Sequence, residues 1–233
     1  MLKLFKHGQM GKAHHGWLKT IHHFSFADYY DPKRIQFGVL RVVNDDVIAP
    51  GTGFGMHPHR DMEIVSYVLD GALTHKDSMG NESTLGRGEV QYMSAGTGVV
   101  HSEYNNGSEP ARLFQIWVMP NKRGTDPDYG EYRFKWEDRQ DKWMKIISGS
   151  PEEGFPIQFH ADLKMYATAM SPGTEQQFEI APGRQAYVAM MEGSALINGL
   201  EVGSQDALEA VEESLSIKAP EGAHLLVFEM AKP

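Results

Sequence analysis

The chain has 233 residues, of which 41% are hydrophobic and 23% charged, a composition typical of a globular protein and not of a disordered one. Its formal net charge is -9 and its basic residues form no cluster, so we expect no direct binding to nucleic acid. The lack of cysteine excludes disulfides and thiolate metal sites and fits a reducing compartment. The N-terminus lacks the apolar core of a signal peptide and no run approaches the length of a membrane span, so we expect a cytoplasmic protein that binds no membrane.

Short strands dominate the first half of the sequence. Runs of β-branched and apolar residues alternate with turn signals such as Asp70-Gly71, and Asn44-Asp45-Asp46 is predicted to be a turn cluster that ends a strand. The predicted strands cover residues 37–43, 62–69, 71–77, 90–93 and 113–119. Short strands at regular spacing predict a sandwich or a barrel.

A polar and charged stretch, residues 120–156, separates the two halves and is predicted to connect two domains. Within it, residues 131–145 are predicted to form a helix in which Phe134, Trp136 and Trp143 are partly buried.

The second half repeats the pattern of the first. Residues 186–199 parallel 67–74, and residues 220–224 resemble 96–101. A similarity over roughly a hundred residues indicates a domain duplication and not a solenoid. We therefore expect an all-β protein with an N-terminal domain at residues 1–130 and a C-terminal domain at residues 131–233.

Two pairs of potential metal ligands stand out in the first half. His57 and His59 are one residue apart, so in a strand both side chains point to the same face, and the same holds for His101 and Glu103. Pro58 cannot donate a ladder hydrogen bond, which predicts an edge strand or a bulge. Two such pairs on neighbouring strands would form a compact set of nitrogen and oxygen ligands, which suits Fe, Mn, Co, Ni, Cu or Zn.

The other histidines are expected to play lesser roles. His14-His15 and His22-His23 are adjacent residues that face opposite ways in a strand, so neither pair forms a chelate, and we interpret them as structural or pocket-rim residues. His224 is the one ligand-capable residue at a corresponding place in the second copy, where we expect no metal. His75 is a candidate for lining a cavity, with Phe26, Met93 and Phe114 as its apolar wall, while core packing is the favoured interpretation of each of these residues.

The segments around the ligand pairs resemble known motifs. The first cupin motif is matched by Gly53, His57, His59, Glu63 and Gly71, and the second by Gly98, His101 and Asn105, with Gly96 in place of the proline. The resemblance to the pirin family is closer and covers almost the whole chain. It is carried by residues 17–32, 54–63 and 93–103.

The resemblance implies a bicupin, a pair of double-stranded β-helix (jelly-roll) barrels, with one divalent metal ion in the N-terminal barrel only. In that family the ligands correspond to His57, His59, His101 and Glu103, and iron is the favoured metal. Glu63 would share the ligand face of a regular strand, and we expect it to orient an imidazole. The family pattern also implies a monomer.

The resemblance also implies a function. Bacterial members of similar length and pattern include quercetin 2,3-dioxygenases, so the implied substrates are a flavonol and O2, with Glu103 as the general base and carbon monoxide as a product. Eukaryotic pirins are nuclear, iron-dependent transcription co-regulators. This implies an alternative, a non-catalytic, redox-sensing regulator that acts through a protein partner. A third hypothesis is another cupin reaction, such as isomerisation or decarboxylation, at the same metal.

Overall fold

The computed structural model describes residues 1–151 and 154–233, and almost all regular structure in these ranges is β-strand. Helical structure in the described ranges is limited to two single-turn 3₁₀ segments, His7–Gln9 and Trp136–Asp138, and no helix there is long and apolar enough to cross a membrane. The predicted all-β class is therefore confirmed.

The chain folds into two compact units. The N-terminal barrel consists of residues 11–134 and 159–161. The C-terminal barrel consists of residues 1–10, the described residues of 135–158, and 162–233. The first ten residues therefore belong to the unit that the C-terminal half of the chain forms.

The N-terminal barrel contains two antiparallel sheets. Its strands are β2 (Gly11–His14), β3 (Leu18–His22), β4 (Leu40–Ile48), β5 (Thr52–His59), β6 (Glu63–Asp70), β7 (Ala72–Asp77), β8 (Glu82–Gly86), β9 (Val90–Ser94), β10 (Val99–Asn105), β11 (Ala111–Val118) and β12 (Asp128–Tyr132). The seven-stranded sheet has the order β12-β9-β6-β11-β4-β3-β2, and the four-stranded sheet has the order β5-β10-β7-β8. All five strands predicted in this half are present, which confirms them.

Apolar side chains from both sheets form the core of this barrel. Leu18, Ile48, Val68 and Leu113 come from the seven-stranded sheet, and Leu73 comes from the four-stranded sheet. Each is less than a tenth exposed, and burying such a side chain contributes about 1.5–3 kcal/mol to the free energy of unfolding. The core therefore fixes the spacing of the two sheets between which the candidate site lies.

The segment Asn44-Asp45-Asp46 lies inside β4 and is buried, so its prediction as a turn cluster is wrong. The guanidinium of Arg112 donates hydrogen bonds of 2.8 and 2.7 Å to the two carboxylate oxygens of Asp45, which allows a charge to be buried in mid-strand. Asn44 and Asp46 point to the other face of β4 and line a cavity.

The C-terminal barrel is one ten-stranded sheet that curves around an apolar core. Its strands are β1 (Leu2–Phe5), β13 (Met144–Ser148), β14 (Ile157–Gln158), β15 (Leu163–Met170), β16 (Thr174–Phe178), β17 (Arg184–Ile197), β18 (Leu200–Gly203), β19 (Ala207–Val211), β20 (Leu215–Ala219) and β21 (Ala223–Ala231). β1 pairs antiparallel with β19, with Leu2 opposite Ala210. This pairing is what joins the N-terminus to the C-terminal barrel.

Two glycines support the predicted duplication. Gly71 has a φ of 69° and Gly193 a φ of 72°, a left-handed conformation that glycine adopts most readily. A Cβ on Gly71 would lie 2.9 Å from the Cα of Ala111, the first residue of β11. A Cβ on Gly193 would lie 3.1 Å from the Cα of Ala223, the first residue of β21. Each barrel thus has the same kind of close approach between a glycine and the first residue of a later strand.

The helix predicted over residues 131–145 is wrong. β12 extends to Tyr132, a single 3₁₀ turn follows, and β13 begins at Met144. Asp141 has a φ of 54°, which an α-helix does not permit, and its carboxylate accepts a 2.6 Å hydrogen bond from the Ser171 backbone N–H. Pairing with other strands therefore overrides the local pattern. Trp143 is nevertheless partly buried against the core of the C-terminal barrel.

Candidate metal centre

The imidazoles of His57, His59 and His101 form a triangle in the N-terminal barrel. β5 carries the first two, and β10 pairs antiparallel with it so that His101 lies opposite His57. The ring centroids are 4.5 Å apart for His57–His101, 4.8 Å for His57–His59 and 4.9 Å for His59–His101. Each ring offers a nitrogen within 4.8 Å of the other two, so the triangle is small enough to hold one metal ion.

The strand that carries His57 and His59 is both an edge strand and irregular, as Pro58 predicted. β5 is the outermost strand of the four-stranded sheet. Its register with β10 shifts between His101 and Glu103, because His101 lies opposite His57 while Glu103 lies opposite Phe54. At an edge, the missing N–H of proline leaves no ladder hydrogen bond broken.

The hydrogen-bond network assigns the tautomers of two of these rings. Nδ1 of His57 lies 2.7 Å from the carbonyl oxygen of Gly55, so it is the donor and Nε2 keeps its lone pair. Nε2 of His75 lies 3.0 Å from a carboxylate oxygen of Asp77 and donates to it. Nδ1 of His75 then accepts from Nδ1 of His101, 3.3 Å away, which leaves the lone pair of His101 on Nε2.

The remaining nitrogens fit a metal. Nε2 of His59 and Nε2 of His101 are buried and have no hydrogen-bond partner among the described residues. Burial and the neighbouring histidines lower the pKa of His59 to about 4 and that of His101 to about 2, so both rings are neutral at physiological pH. Neutral imidazoles with unpartnered nitrogens are what a divalent transition metal requires of its ligands.

Glu103 lies beside this triangle and is buried. Its ligand atom groups with those of His75 and His101, within 4.8 Å, and its side chain lines the same cavity as His57 and His59. Oε1 accepts hydrogen bonds from Ser66 Oγ at 2.9 Å and Gln91 Nε2 at 2.8 Å. Oε2 accepts one from Gln115 Nε2 at 2.7 Å and keeps a free lone pair. The role of Glu103 as fourth ligand stays a prediction.

Burial raises the pKa of Glu103 to about 7, although its hydrogen bonds with Ser66, Gln115 and Gln91 lower it. The sequence pattern did not indicate these partners, which lie on β6, β11 and β9. They are isolated polar residues in apolar strands, and a buried polar side chain at such a position is the signal that could have revealed them.

Glu63 does not orient any imidazole of the triangle. It lies on β6, beyond the end of β5, and its Oε1 accepts a 2.8 Å hydrogen bond from the hydroxyl of Ser94. Its Oε2 has no hydrogen-bond partner among the described residues. The expectation fails because Asp61 has a φ of 48° between the two strands, so the alternation of β5 does not continue to Glu63.

A cavity of about 160 Å³ adjoins the triangle. Its half-buried mouth consists of Phe26, Phe54, His57, His59 and Trp117. Its buried floor consists of Leu18, Thr20, His22, Asn44, Asp46, Glu103 and Gln115. The mouth is thus aromatic, and although most residues of the floor are polar, the surface that faces the cavity is predominantly apolar, which suits a flat ring system.

Of the candidates for lining this cavity, Phe26 does so, whereas Met93 and Phe114 pack in the core, the interpretation favoured for them. Met93 packs into a separate apolar cluster with Val99, and Phe114 makes an edge contact with His23. Phe114 cannot face the cavity because its neighbour Gln115 does, and side chains alternate along a strand. His75 lies behind His101, where its ring stacks on Tyr129 with centroids 4.5 Å apart.

The remaining histidines have different surroundings. His22 lines the cavity, with Nδ1 3.0 Å from Oδ1 of Asn44, whereas His14 and His15 are exposed. In the C-terminal barrel, Nδ1 of His224 lies 3.0 Å from a carboxylate oxygen of Glu192. Within the described ranges, both groups of side chains able to hold a metal ion lie in the N-terminal barrel.

Comparisons with known proteins cover almost the whole chain. Residues 5–118 match the family model described as Pirin, and residues 134–230 match the one described as Quercetinase C-terminal cupin domain. The chain is 42% identical over 232 residues to the quercetin 2,3-dioxygenase of Escherichia coli K12, covering 99% of each chain. It is 40% identical over 224 residues to a pirin-like protein of Caulobacter vibrioides, covering 96% of this chain and 97% of that one.

Among solved structures, that of the bacterial pirin YhhW from Escherichia coli in complex with nickel(II) superposes with a TM-score of 0.94. The two chains are 40% identical, and the match covers 100% of both.

Proposed function

Since the chain belongs to the pirin family, we propose that it is a metal-dependent dioxygenase that uses O2 to cleave a flavonol such as quercetin. The observation that carries the proposal is the triangle of His57, His59 and His101, which opens into a cavity with an aromatic mouth. The name of the Escherichia coli relative supports the choice of substrate class.

One divalent transition metal ion would be held by His57, His59 and His101, with Glu103 as the fourth ligand. When bound, it supplies Lewis acidity that lowers the pKa of a hydroxyl group bound to it. We favour iron, while Mn, Co, Ni, Cu and Zn also suit these donors, and the nickel complex of the related pirin supports such a site.

Glu103 is the proposed general base. Burial raises its pKa to about 7, close to the value that serves proton transfer best near neutral pH. The carboxylate of Glu103 would take the proton of the substrate hydroxyl. Ser66, Gln91 and Gln115 hold the carboxylate in place.

The cavity orients the substrate. The indole ring of Trp117 makes an edge contact with His59, with centroids 4.9 Å apart. Its N–H is buried without a hydrogen-bond partner among the described residues, so it can donate to a substrate oxygen. Ligand pockets commonly measure about 300–1,000 Å³. A cavity of about 160 Å³ therefore holds one end of a flavonol, and the remainder extends past Phe26 and Phe54.

The test is the aerobic loss of quercetin absorbance by protein loaded with Fe, Mn, Co, Ni or Cu, with metal-free protein and His101→Ala as controls. Bleaching that requires the metal and releases carbon monoxide supports the proposal and identifies the competent metal. Turnover without O2 would instead indicate an isomerisation or decarboxylation.

Failure of the fully loaded protein to turn over quercetin would favour the alternative, a redox-sensing regulator that acts through a protein partner. The cytoplasmic location and the monomeric state stay predictions.

A further inference from the structure

The floor of the cavity contains a carboxyl group that the proposed function does not use. Asp46 lies on β4, is 3% exposed and lines the cavity. Thr20, which lies opposite it on β3, is hydrogen-bonded to its side chain. Its Oδ1 atom has no hydrogen-bond partner among the described residues. A buried acceptor without a partner is costly, so a ligand that brings a donor to it gains affinity.

Asp46 differs in this respect from the other polar residues of the floor. The amide oxygen of Asn44 lies 3.0 Å from Nδ1 of His22. The amide oxygen of Gln115 lies 2.6 Å from the hydroxyl oxygen of Ser66, and its amide nitrogen donates to Glu103. These groups are already paired, whereas Oδ1 of Asp46 has no hydrogen-bond partner among the described residues.

Asp46 and the histidines come from different sheets. β4 is in the seven-stranded sheet, and β5, which carries His57 and His59, is in the four-stranded sheet. All three side chains line the same cavity. A flat substrate anchored near the histidines by one oxygen therefore extends across the cavity toward β4.

We propose that Asp46 is a specificity-determining residue that accepts a hydrogen bond from a second hydroxyl group of the substrate, distinct from the hydroxyl at the metal. This inference rests on the proposed function and narrows its substrate class. The protein selects flavonols with additional hydroxyl groups over those whose only hydroxyl is the metal-binding one.

Electrostatics agree with this role. Burial raises the pKa of Asp46 to about 7, and the negative charges of Asp45 and Glu103 add to the rise, while the hydrogen bond with Thr20 opposes it. The carboxylate form accepts a phenolic hydrogen more strongly than a neutral acceptor does. Selection should therefore be strongest above neutral pH.

The test is equilibrium binding of two probes to Zn²⁺-loaded protein without O2, at about pH 8.5, where Asp46 is ionised. One probe is quercetin, and the other is 3-hydroxyflavone, which keeps the metal-binding hydroxyl and lacks all others. Wild type should bind quercetin roughly tenfold or more tightly than 3-hydroxyflavone. Asp46→Leu should lose that advantage while its affinity for 3-hydroxyflavone stays within about twofold or rises. Asp46→Asn conserves the shape of the side chain, and its preference for quercetin should lie between those of wild type and Asp46→Leu.

Glu63→Gln is the matched control, because Glu63 is a buried carboxyl group of the same barrel and does not line the cavity. It should retain the preference. Zinc content and thermal unfolding establish that each variant is folded. If Asp46→Leu does not fold, the affinities of Asp46→Asn for the two probes test the inference.

Two failures are distinguishable. Metal-dependent binding with no preference for quercetin, or equal loss of both probes in the Asp46 variants, overturns this inference alone. Binding of both probes that does not depend on zinc overturns the proposed function and this inference with it.

Discussion

Nδ1 of His101 lies 3.3 Å from Nδ1 of His75. The imidazole of His75, which is outside the triangle, therefore positions the imidazole of His101, which is part of it. The second nitrogen of His75 donates to Asp77 across 3.0 Å. Asp77 thereby determines which nitrogen of His75 carries the proton, and His75 determines the same for His101. The lone pair that a metal needs on Nε2 of His101 depends on a carboxylate two hydrogen bonds away.

This relay predicts a specific effect of Asp77→Asn. The new amide can direct a donor at Nε2 of His75, which would move the proton of His75 to Nδ1 and, in turn, the proton of His101 to Nε2. We expect metal affinity to fall by roughly 10–100-fold while the fold is retained. The metal affinity of the variant is measured by competition with a chelator of known affinity.

Asp77→Glu, which keeps the carboxylate, should restore part of the affinity, and His14→Ala, at an exposed histidine of the same barrel, should not change it. Unaltered affinity in Asp77→Asn would mean that the triangle does not depend on the relay.

The triangle could be predicted because its signal is local. One intervening residue places His57 and His59 on the same face of a strand, and Pro58 indicates the edge at which that strand lies. Neither inference requires knowledge of distant contacts.

The floor of the cavity could not be predicted in this way. Asn44-Asp45-Asp46 has the composition of a turn, and it is a strand because it pairs with β3 and β11, while Arg112, far along the chain, pairs with the buried Asp45. The pairing of β1 could not be predicted either, since nothing in the sequence of Leu2–Phe5 indicates that this strand pairs with Ala207–Val211. Both features depend on partners that a local pattern does not contain.

Glu103→Gln should separate metal binding from turnover. The three imidazoles remain, so much of the metal should be retained, whereas an amide cannot take the substrate proton. We expect kcat to fall by about 10²–10⁴-fold. The measurement is metal content together with kcat, and full activity in this variant would remove Glu103 as the base.

The triangle also predicts which histidines a metal requires. His57→Ala or His101→Ala should abolish metal binding, because each removes one corner of a small ligand set. His224→Ala is the control, since this residue contacts Glu192 in the other barrel. Elemental analysis of the purified variants decides. Unchanged metal content in the first two contradicts the site, and a loss in His224→Ala would indicate a second one.

The stability of the metal-free protein should depend on pH through Asp46. Burial raises the pKa of this carboxyl from its ordinary 3.8 to about 7, so the folded state binds the proton more tightly than the unfolded state. The stability that this proton contributes is fully present below the unfolded pKa and is lost as the pH rises through about 7. The asparagine side chain of Asp46→Asn does not titrate. The free energy of unfolding of this variant, relative to that of wild type, should therefore rise over this window by on the order of 2–4 kcal/mol.

Urea unfolding of both metal-free proteins across that window measures the difference. The neutral histidines of the triangle also affect stability as the pH falls. Because they titrate in both proteins, their contributions cancel in the difference between the two free energies of unfolding. Asp28→Asn, at an exposed aspartate of the same barrel, should give a curve parallel to wild type. If the curve of Asp46→Asn is also parallel to that of wild type, the Asp46 carboxyl group is not held in the buried environment of the cavity floor. Its Oδ1 atom is then not the unpartnered acceptor that the substrate would use.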